Sequence, residues 1–171
     1  HAGIDGLAKT LSATHIDLLI NNAGIYAGSH GTPLEDIDYE AWAKSFHINT
    51  MASLKMAQAF LHHIERSKQK KIVTISSKMG SITDNTSGGS YLYRTSKTAV
   101  NMVIKTLSID LKTAGVIAVV FHPGWVKTDM GGPRAQISAT QSVSGMRRII
   151  DRLSMADSGK FLSYDGQIVP W

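Results

Sequence analysis

The sequence predicts an α/β fold in which a doubly wound parallel sheet is covered by helices on both faces. Three short apolar runs alternate along the chain with longer segments whose apolar residues recur at helical spacing. The runs are continuous in apolar character rather than alternating with polar residues, which is typical of parallel strands buried on both faces. Strands that alternate with helices in this way form one layered domain.

The first half of the chain predicts two helices and two strands. A short helix is expected from Ile4 to Leu11, and the run from Ile16 to Asn21 predicts a buried strand that ends in a glycine-bearing turn. Asp38 is a suitable N-cap for a long helix whose apolar spacing continues to about Ser67. The run from Lys71 to Ser76 predicts the second strand.

The second half repeats this alternation. After a polar, glycine-rich stretch, a helix is expected from about Tyr91 to Ala114, with Gly115 ending it. The run from Val116 to Gly124 predicts the third strand and closes on a Pro-Gly turn. A long loop then leads to a helix from about Ser142 to Leu153, and the segment from Gly159 to Trp171 predicts a last short strand and a tail.

Composition argues against several classes of protein. The 171 residues are 43% apolar and 18% charged, which suits a single folded domain. The basic clusters Lys68 to Lys71 and Arg147-Arg148 are not interleaved with aromatic residues, so we interpret them as solvated surface and expect no nucleic-acid partner. Without cysteine, the chain forms no disulfide and has no thiolate chemistry. With neither a membrane-length apolar run nor a signal peptide, we expect a soluble, cytoplasmic protein with no membrane partner.

A metal site is not expected. His62 and His63 are adjacent and point to different faces of their helix, and no other ligand residue stands at suitable spacing. We interpret both histidines as solvated helix residues.

Chemically distinctive residues lie where the predicted strands end. Asn21 to Gly24 follow the first strand, Ser76-Ser77 the second and Pro123-Gly124 the third. Ligands of parallel α/β sheets bind outside the carboxyl ends of the strands. Tyr93 and Lys97 begin the helix that follows the second strand, so these residues are expected to converge on one rim of the sheet.

Tyr93 and Lys97 are four residues apart and therefore share a helix face. A phenol has a pKa near ~10, and a nearby ammonium group favours the phenolate and lowers that pKa toward a range useful for proton transfer. Such a pair occurs by chance in roughly one chain of this kind in three. Asn49 is a poor helix former inside a predicted helix, so it is either a tolerated residue on an outer face or a functional one.

Taken together and in this order, the motifs Asn21-Asn22-Ala23-Gly24, Asn49, Ser77, Tyr93-x-x-x-Lys97 and Pro123-Gly124 resemble the classical short-chain dehydrogenases/reductases. The stretches ISSKMGSITDNTSGGSYLYRTSKTAVNM, HPGWVKTDMGGP and DGQIVPW resemble the sniffer-type carbonyl reductases and C-factor-like proteins of that family. The resemblance implies a Rossmann-like fold, of which residues 1–171 would form a single partial domain holding the fourth to seventh strands of the family sheet.

The resemblance also implies an enzyme that interconverts a carbonyl and an alcohol with NAD or NADP. Tyr93 would be the general acid, and Lys97 would lower its pKa and hold the nicotinamide ribose. Ser77, rather than Ser76, would orient the substrate carbonyl, and Asn49 would fix a water that links Lys97 to solvent. The implied cofactor-binding residues are Asn21, Ala23, Gly24, Tyr93, Lys97, Pro123, Gly124, Val126 and Thr128. The segment from Met130 to Ser142 would be a substrate lid, and the two long helices would join subunits of a homodimer or homotetramer.

One feature of the family is missing from these 171 residues. The family begins with a strand, a glycine-rich turn and a helix whose N-terminus holds the pyrophosphate, and no such motif occurs here. The corresponding βαβαβ part is on the order of 60 to 70 residues long. We therefore expect a part of a longer chain, with its first strand on an open edge, and very weak dinucleotide binding if the 171 residues act alone. A non-catalytic or signalling C-factor-like fragment that has lost cofactor binding is the alternative.

Overall fold

The computed structural model describes residues 2–29 and 31–171 and confirms the predicted α/β architecture. The strands form one parallel sheet in the order β1-β2-β3-β4. They are β1 (Leu18–Asn21), β2 (Lys71–Ile75), β3 (Ile117–His122) and β4 (Phe161–Ser163). The α-helices are α1 (Ala2–Thr10), α2 (Tyr39–Phe46), α3 (Ala52–Glu65), α4 (Tyr91–Asp110) and α5 (Ala139–Ile150).

Both faces of the sheet are buried. Successive residues of a strand point to opposite faces, and both Ile72 and Val73 of β2 are fully buried. Ile72 belongs to a core cluster with residues of α3 and α4, such as Phe60 and Val100. Val73 belongs to a second cluster that includes Ile150 of α5. Cover on both sides explains why the strand sequences are continuously apolar.

The strand β1 lies on an open edge, as expected. Among the described residues it pairs with β2 alone, with Leu18 opposite Lys71. Leu19 is buried beneath the helices, whereas Ile20 on the other face is 47% exposed. An uncharged apolar edge strand offers unpaired backbone groups to any further strand.

The long helix predicted from Asp38 to Ser67 is interrupted. Asp38 does cap α2, since its carboxylate accepts the Ala41 backbone N–H at 2.9 Å. A π-helical turn from His47 to Met51 then separates α2 from α3, and the Ala52 N–H donates to the carbonyl of His47. This wider turn carries Asn49 and buries it. Such turns are frequent at functional sites.

The helix α5 begins three residues earlier than its apolar spacing indicates. Ser138 is its N-cap and forms a capping box with Gln141, in which each side chain accepts a backbone N–H of the other residue. The Ser142 hydroxyl, at the predicted helix start, instead donates to the carbonyl of Pro123 at the end of β3.

Two residues interpreted as solvated are buried. His63 is 5% exposed, its Nε2 lies 3.1 Å from the carbonyl of Ala8, and its ring packs on Phe60. Lys71 is also 5% exposed, and its Nζ donates to the carbonyl of Ile150 at 2.7 Å. Both predictions were wrong because these side chains find partners on helices that are distant in sequence.

Neither a membrane-spanning helix nor a cluster of metal ligands occurs among the residues that the structure describes. Across residues 2–29 and 31–171, no helix combines the length and the apolar character that crossing a membrane requires. Within the same residues, no group of three or more His, Cys, Asp or Glu side chains could hold a metal ion.

Candidate active site

A cleft of about 970 Å³ lies at the carboxyl ends of the first three strands. The predicted site residues that line it are Ala23, Gly24, Ser77, Tyr93, Lys97, Pro123, Gly124, Val126 and Thr128. They come from four separate stretches of the chain: the turn after β1, the turn after β2, the first two turns of α4 and the loop after β3. The structure therefore brings most of the predicted residues together on one rim of the sheet.

Ser77 stands where β2 ends and a short 3₁₀ turn, Lys78–Gly80, begins. It has extended backbone angles and caps this turn, accepting the Met79 backbone N–H at 3.2 Å. Its side chain is also close enough to that of Tyr93 to lower the pKa of the phenol. Ser76, in contrast, is buried and donates to the backbone carbonyl of Lys97. The side chain of Ser77, and not that of Ser76, is therefore the one directed at Tyr93.

Tyr93 and Lys97 lie one turn apart on α4, and both are buried at the base of the cleft. Tyr93 is 7% exposed and Lys97 is 4% exposed. The Lys97 Nζ lies 5.7 Å from the centroid of the Tyr93 ring and donates to the carbonyl of Ile75 at 3.0 Å. The last residue of β2 thus holds the ammonium group against the face of the phenol.

Burial dominates the acidity of both groups. Burial raises the pKa of Tyr93 above its usual value, the nearby Ser77 hydroxyl opposes this rise, and Tyr26 adds to it. Burial also lowers the pKa of Lys97 to about 8. Burial is therefore the largest influence on the pKa of Tyr93, and that Lys97 lowers this pKa stays a prediction.

Asn49 holds two walls of the site together. Its Oδ1 accepts the Ile25 backbone N–H at 2.8 Å, and its Nδ2 donates to the Ile25 carbonyl and to the Ser96 hydroxyl, both at 2.9 Å. The side chain is 2% exposed, so the interpretation of Asn49 as a residue on an outer face is excluded. It fixes the segment after β1 against α4. That it also holds a water for Lys97 stays a prediction.

Glycine is favoured at two positions in the cleft walls. A Cβ atom on Gly24 would lie 3.3 Å from both the Asn49 Oδ1 and the Lys97 Nζ, tighter than most such contacts. Gly124 has a φ of +86°, and a Cβ there would collide with Ile137. Gly24 therefore lets the backbone approach two polar groups closely, and Gly124 lets it approach an apolar side chain in a left-handed conformation.

Asn21 was wrongly predicted to line the cleft. Its side chain is buried beneath the sheet, where Nδ2 donates to the Thr74 hydroxyl at 3.2 Å and to the Ser53 carbonyl at 3.4 Å. Its neighbour Asn22 lines the cleft instead. Side chains alternate between the two faces of the sheet up to the last residue of a strand. This alternation directs the Asn21 side chain to the face covered by α3.

Tyr26 and His122 are among the residues lining the cleft that sequence reasoning did not single out. The Tyr26 ring packs against Tyr93, with centroids 4.6 Å apart. The His122 Nδ1 accepts the Lys78 backbone N–H at 3.2 Å, and burial lowers the pKa of His122 to about 4, which keeps the ring neutral. His122 directly precedes the Pro-Gly turn and could have been found from its place at a strand end. Tyr26 carried no such signal.

The loop after β3 forms the outer wall of the cleft. The Trp125 indole N–H donates to the carbonyl of Gly131 at 2.8 Å, and a parallel β-bridge joins Val126 to Ile137. The Thr128 hydroxyl accepts the Gly131 backbone N–H at 3.1 Å. Trp125 and Met130 remain 46% and 51% exposed. The loop therefore has internal structure while it presents apolar side chains outward.

The chain is similar to known proteins over nearly all of its length. A profile of the family described as short chain dehydrogenase matches residues 3–138. C-signal of Myxococcus xanthus is 44% identical over 156 residues, which cover 91% of this chain and 93% of that protein.

Solved structures show the same similarity. Carbonyl reductase Sniffer of D. melanogaster superposes with a TM-score of 0.94 at 32% identity, covering 99% of this chain and 74% of that one. The NADPH-bound carbonyl reductase from chicken fatty liver gives a TM-score of 0.88 at 34% identity, covering 99% and 71%.

Proposed function

Because the chain belongs to the short-chain dehydrogenases, in the subgroup of sniffer-type carbonyl reductases and C-factor-like proteins, we propose that it is an NAD(P)-dependent oxidoreductase that interconverts a carbonyl and an alcohol. The observation that carries this proposal is that Ser77, Tyr93 and Lys97 line the same cleft. A small carbonyl compound or alcohol would be the substrate.

The residues of the cleft fit the nicotinamide end of a dinucleotide. The Lys97 ammonium group and the Tyr93 hydroxyl offer donors for the ribose hydroxyls, and Gly24 leaves the space above Lys97 free of a side chain. The backbone of Pro123, Gly124 and Val126 and the hydroxyl of Thr128 would contact the nicotinamide, with Ala23 across the cleft. When bound, the nicotinamide supplies or accepts the hydride. NAD and NADP both fit these residues.

Tyr93 would donate a proton to the carbonyl oxygen during reduction. Its raised pKa keeps the phenol protonated at neutral pH, which is the state a general acid needs. The Ser77 hydroxyl would donate a hydrogen bond to the same oxygen and so place it beside Tyr93. After the proton leaves, Tyr93 is a phenolate. Lys97 would stabilise this phenolate, because a nearby positive charge lowers the free energy of a negative one.

Carbonyl reduction by the 171-residue chain would test the proposal. The probe is para-nitrobenzaldehyde, with NADPH or NADH consumption followed by absorbance. Wild type should consume the nucleotide only when the aldehyde is present, and Ser77→Ala should lose most of this rate, by about 10-fold or more. If Ser77→Ala consumes the nucleotide as fast as the wild type does, the assignment of Ser77 to the active site is contradicted.

A second candidate function is supported by the similarity to C-signal. The chain would then be a non-catalytic or signalling protein that keeps the scaffold and has lost cofactor binding. Titration of the chain with NADPH, followed by nucleotide fluorescence, separates the two. If the wild type binds NADPH saturably and Lys97→Met binds it more weakly, the enzyme is supported. If the wild type does not bind NADPH at millimolar concentration, the non-catalytic or signalling protein is supported.

The pH dependence of reduction should follow the charge on Lys97. Burial disfavours the ammonium form and lowers the pKa of Lys97 to about 8, so the group is charged below that pH and neutral above it. We expect the rate of reduction to be level below about pH 8 and to fall above it, as stabilisation of the Tyr93 phenolate is lost.

Lys97→Arg provides the matched variant for this profile. Its guanidinium group keeps its charge over this pH range, so the fall near pH 8 should disappear whatever the rate at neutral pH. A fall at the same pH in Lys97→Arg would assign that titration to another group.

We also propose that copies of the chain associate as a dimer or tetramer through α3 and α4. Apolar side chains on these helices are exposed: Leu54 at 44%, Met102 at 66% and Ile109 at 64%. Sedimentation velocity on wild type and on Met102→Glu tests this. A monomer at micromolar concentration for wild type would contradict it.

A further inference from the structure

Tyr26 contacts both the side chain of Tyr93 and the start of its helix. The two rings lie with centroids 4.6 Å apart and planes inclined by 36°, within the attractive range for aromatic pairs. The Tyr26 hydroxyl lies 2.7 Å from the Ser90 hydroxyl and shares a hydrogen bond with it. Ser90 is the N-cap residue of α4, and its carbonyl accepts the Tyr93 backbone N–H at 3.1 Å.

The start of α4 has an unfavourable backbone conformation. Ser90 has φ 50° and ψ 41°, in the left-handed region that a residue with a Cβ rarely adopts. It follows Gly88 and Gly89, which have φ values of 63° and 65° and adopt this region without a comparable penalty. The Ser90 side chain does not cap α4, although serine is well suited to that role. Its hydroxyl is directed to Tyr26 instead.

The backbone beside Tyr26 is itself held firmly. Asn49 bonds both the N–H and the carbonyl of Ile25, the residue before Tyr26. The Asn49 amide also bonds Ser96 on α4. Tyr26 is therefore fixed to α4 at two levels, through its own side chain at the helix start and through Asn49 further along the helix.

We propose that Tyr26 and Ser90 form a latch that sets the position of Tyr93 in the cleft. Tyr26 is a positioning residue, because its side chain contacts Tyr93 and the start of α4. The left-handed conformation of Ser90 is retained because the hydroxyl contact to Tyr26 favours it. The inference rests on the proposed function, since it concerns the orientation of the proton donor.

Variants separate the two parts of the latch. Tyr26→Phe and Ser90→Gly each remove the hydroxyl contact and keep the Tyr26 ring, whereas Tyr26→Leu removes the ring. With NADPH and para-nitrobenzaldehyde, we expect Tyr26→Leu to lower kcat by about 10-fold or more, because small misplacements of reacting groups are costly in rate. Tyr26→Phe and Ser90→Gly should each lower kcat by a smaller and similar factor, with KM changed by less than about twofold.

The double variant and a distant tyrosine are the controls. Tyr26→Phe with Ser90→Gly should be no slower than the slower single variant, because both changes break the same hydrogen bond. Tyr39→Phe alters an exposed tyrosine that packs on Trp42 and should leave kcat unchanged. Full additivity of the two single effects would overturn the latch.

Titration of the Tyr93 phenol gives a readout that does not depend on turnover. The difference between the phenolate absorbance of each protein and that of its Tyr93→Phe counterpart isolates this group. Since burial and Tyr26 both raise the pKa of Tyr93, Tyr26→Leu should lower that pKa toward the usual value, and Tyr39→Phe should leave it unchanged. Should Tyr26→Leu fail to fold, Tyr26→Phe and Ser90→Gly still test the hydroxyl contact through kcat.

The outcomes distinguish the latch from the proposed function. A Tyr93 titration shifted in Ser90→Gly, which keeps the Tyr26 phenol, in a protein that reduces no carbonyl supports the latch and contradicts the proposed function. If the wild type reduces the carbonyl and Tyr26→Leu changes neither kcat nor the Tyr93 titration, the proposed function is supported and the latch is overturned.

Discussion

Replacing Tyr93 with phenylalanine is expected to slow carbonyl reduction by about 10²- to 10⁴-fold, the usual contribution of a positioned general acid. The variant keeps the ring that packs against Tyr26 and lies beneath the Lys97 ammonium group. It removes only the hydroxyl, and with it the proton donor beside Ser77. The free energy of unfolding should change by no more than about 1 kcal/mol, because the ring keeps its packing and at most one polar contact is lost.

Two measurements on this variant separate chemistry from folding. Steady-state rates with NADPH and para-nitrobenzaldehyde measure the loss of activity, and urea unfolding measures stability. Tyr39→Phe is the matched control, since Tyr39 is 73% exposed and contacts none of the predicted catalytic residues. Equal rates for wild type and Tyr93→Phe would remove Tyr93 from the mechanism.

Replacing Gly80 with alanine is expected to destabilise the fold by about 1–3 kcal/mol, the usual cost of inserting a methyl group into a packed site. A Cβ on Gly80 would lie 2.8 Å from the carbonyl carbon of Lys97 and 2.9 Å from the Lys97 Cβ. The carbonyl carbon is part of the helix backbone and the Cβ is attached directly to it. Neither atom can move aside as the end of a flexible side chain would. The Gly80 carbonyl also accepts hydrogen bonds from Thr98 and Asn101, which hold it against α4.

The same substitution should also slow reduction, because relief of the clash moves α4 at the position of Lys97. Gly6→Ala is the control, since a Cβ on Gly6 meets nothing within 4 Å in α1. Alanine is favoured over glycine inside a helix, so Gly6→Ala should be neutral or slightly stabilising. Urea unfolding compares the two variants. Equal stability of Gly80→Ala and wild type would mean that the turn after β2 does not pack as the structure has it.

The sheet and the helix bearing Tyr93 could be predicted because their signals are local. The strands β2 and β3 are continuously apolar, and both are buried on two faces in the structure. The spacing of Tyr93 and Lys97 alone places them on one face of α4, and the position of Ser77 at the end of β2 places it on the same rim. In a parallel α/β sheet, strand ends define where ligands bind.

Other features depend on contacts that sequence spacing does not encode. The π turn that carries Asn49 is a one-residue change in hydrogen-bond register, which leaves the apolar pattern of the surrounding helix almost unaltered. The choice between Asn21 and Asn22 in the cleft depends on which residue ends β1, and strand ends are predicted to within a few residues at best. An error of one residue in the strand boundary assigns the side chain to the opposite face of the sheet.

The burial of Tyr93 and Lys97 could not be predicted for a related reason. The sequence shows that Lys97 is near Tyr93, but it does not show how completely both groups are removed from water. Burial raises the pKa of Tyr93 and lowers the pKa of Lys97 to about 8. His63 and Lys71 were misread as solvated in the same way, because their partners Ala8 and Ile150 are distant in sequence.

The most direct test of the account is a double-mutant cycle on Ser77 and Tyr93, measured as kcat/KM for NADPH-dependent reduction of para-nitrobenzaldehyde. Two side chains that act on one carbonyl oxygen form a unit, and their effects are not additive. We predict that the variant carrying both Ser77→Ala and Tyr93→Phe is about as slow as Tyr93→Phe alone. A double variant slowed by the product of the two single effects would show that the residues act independently, and it would contradict the proposed reaction centre.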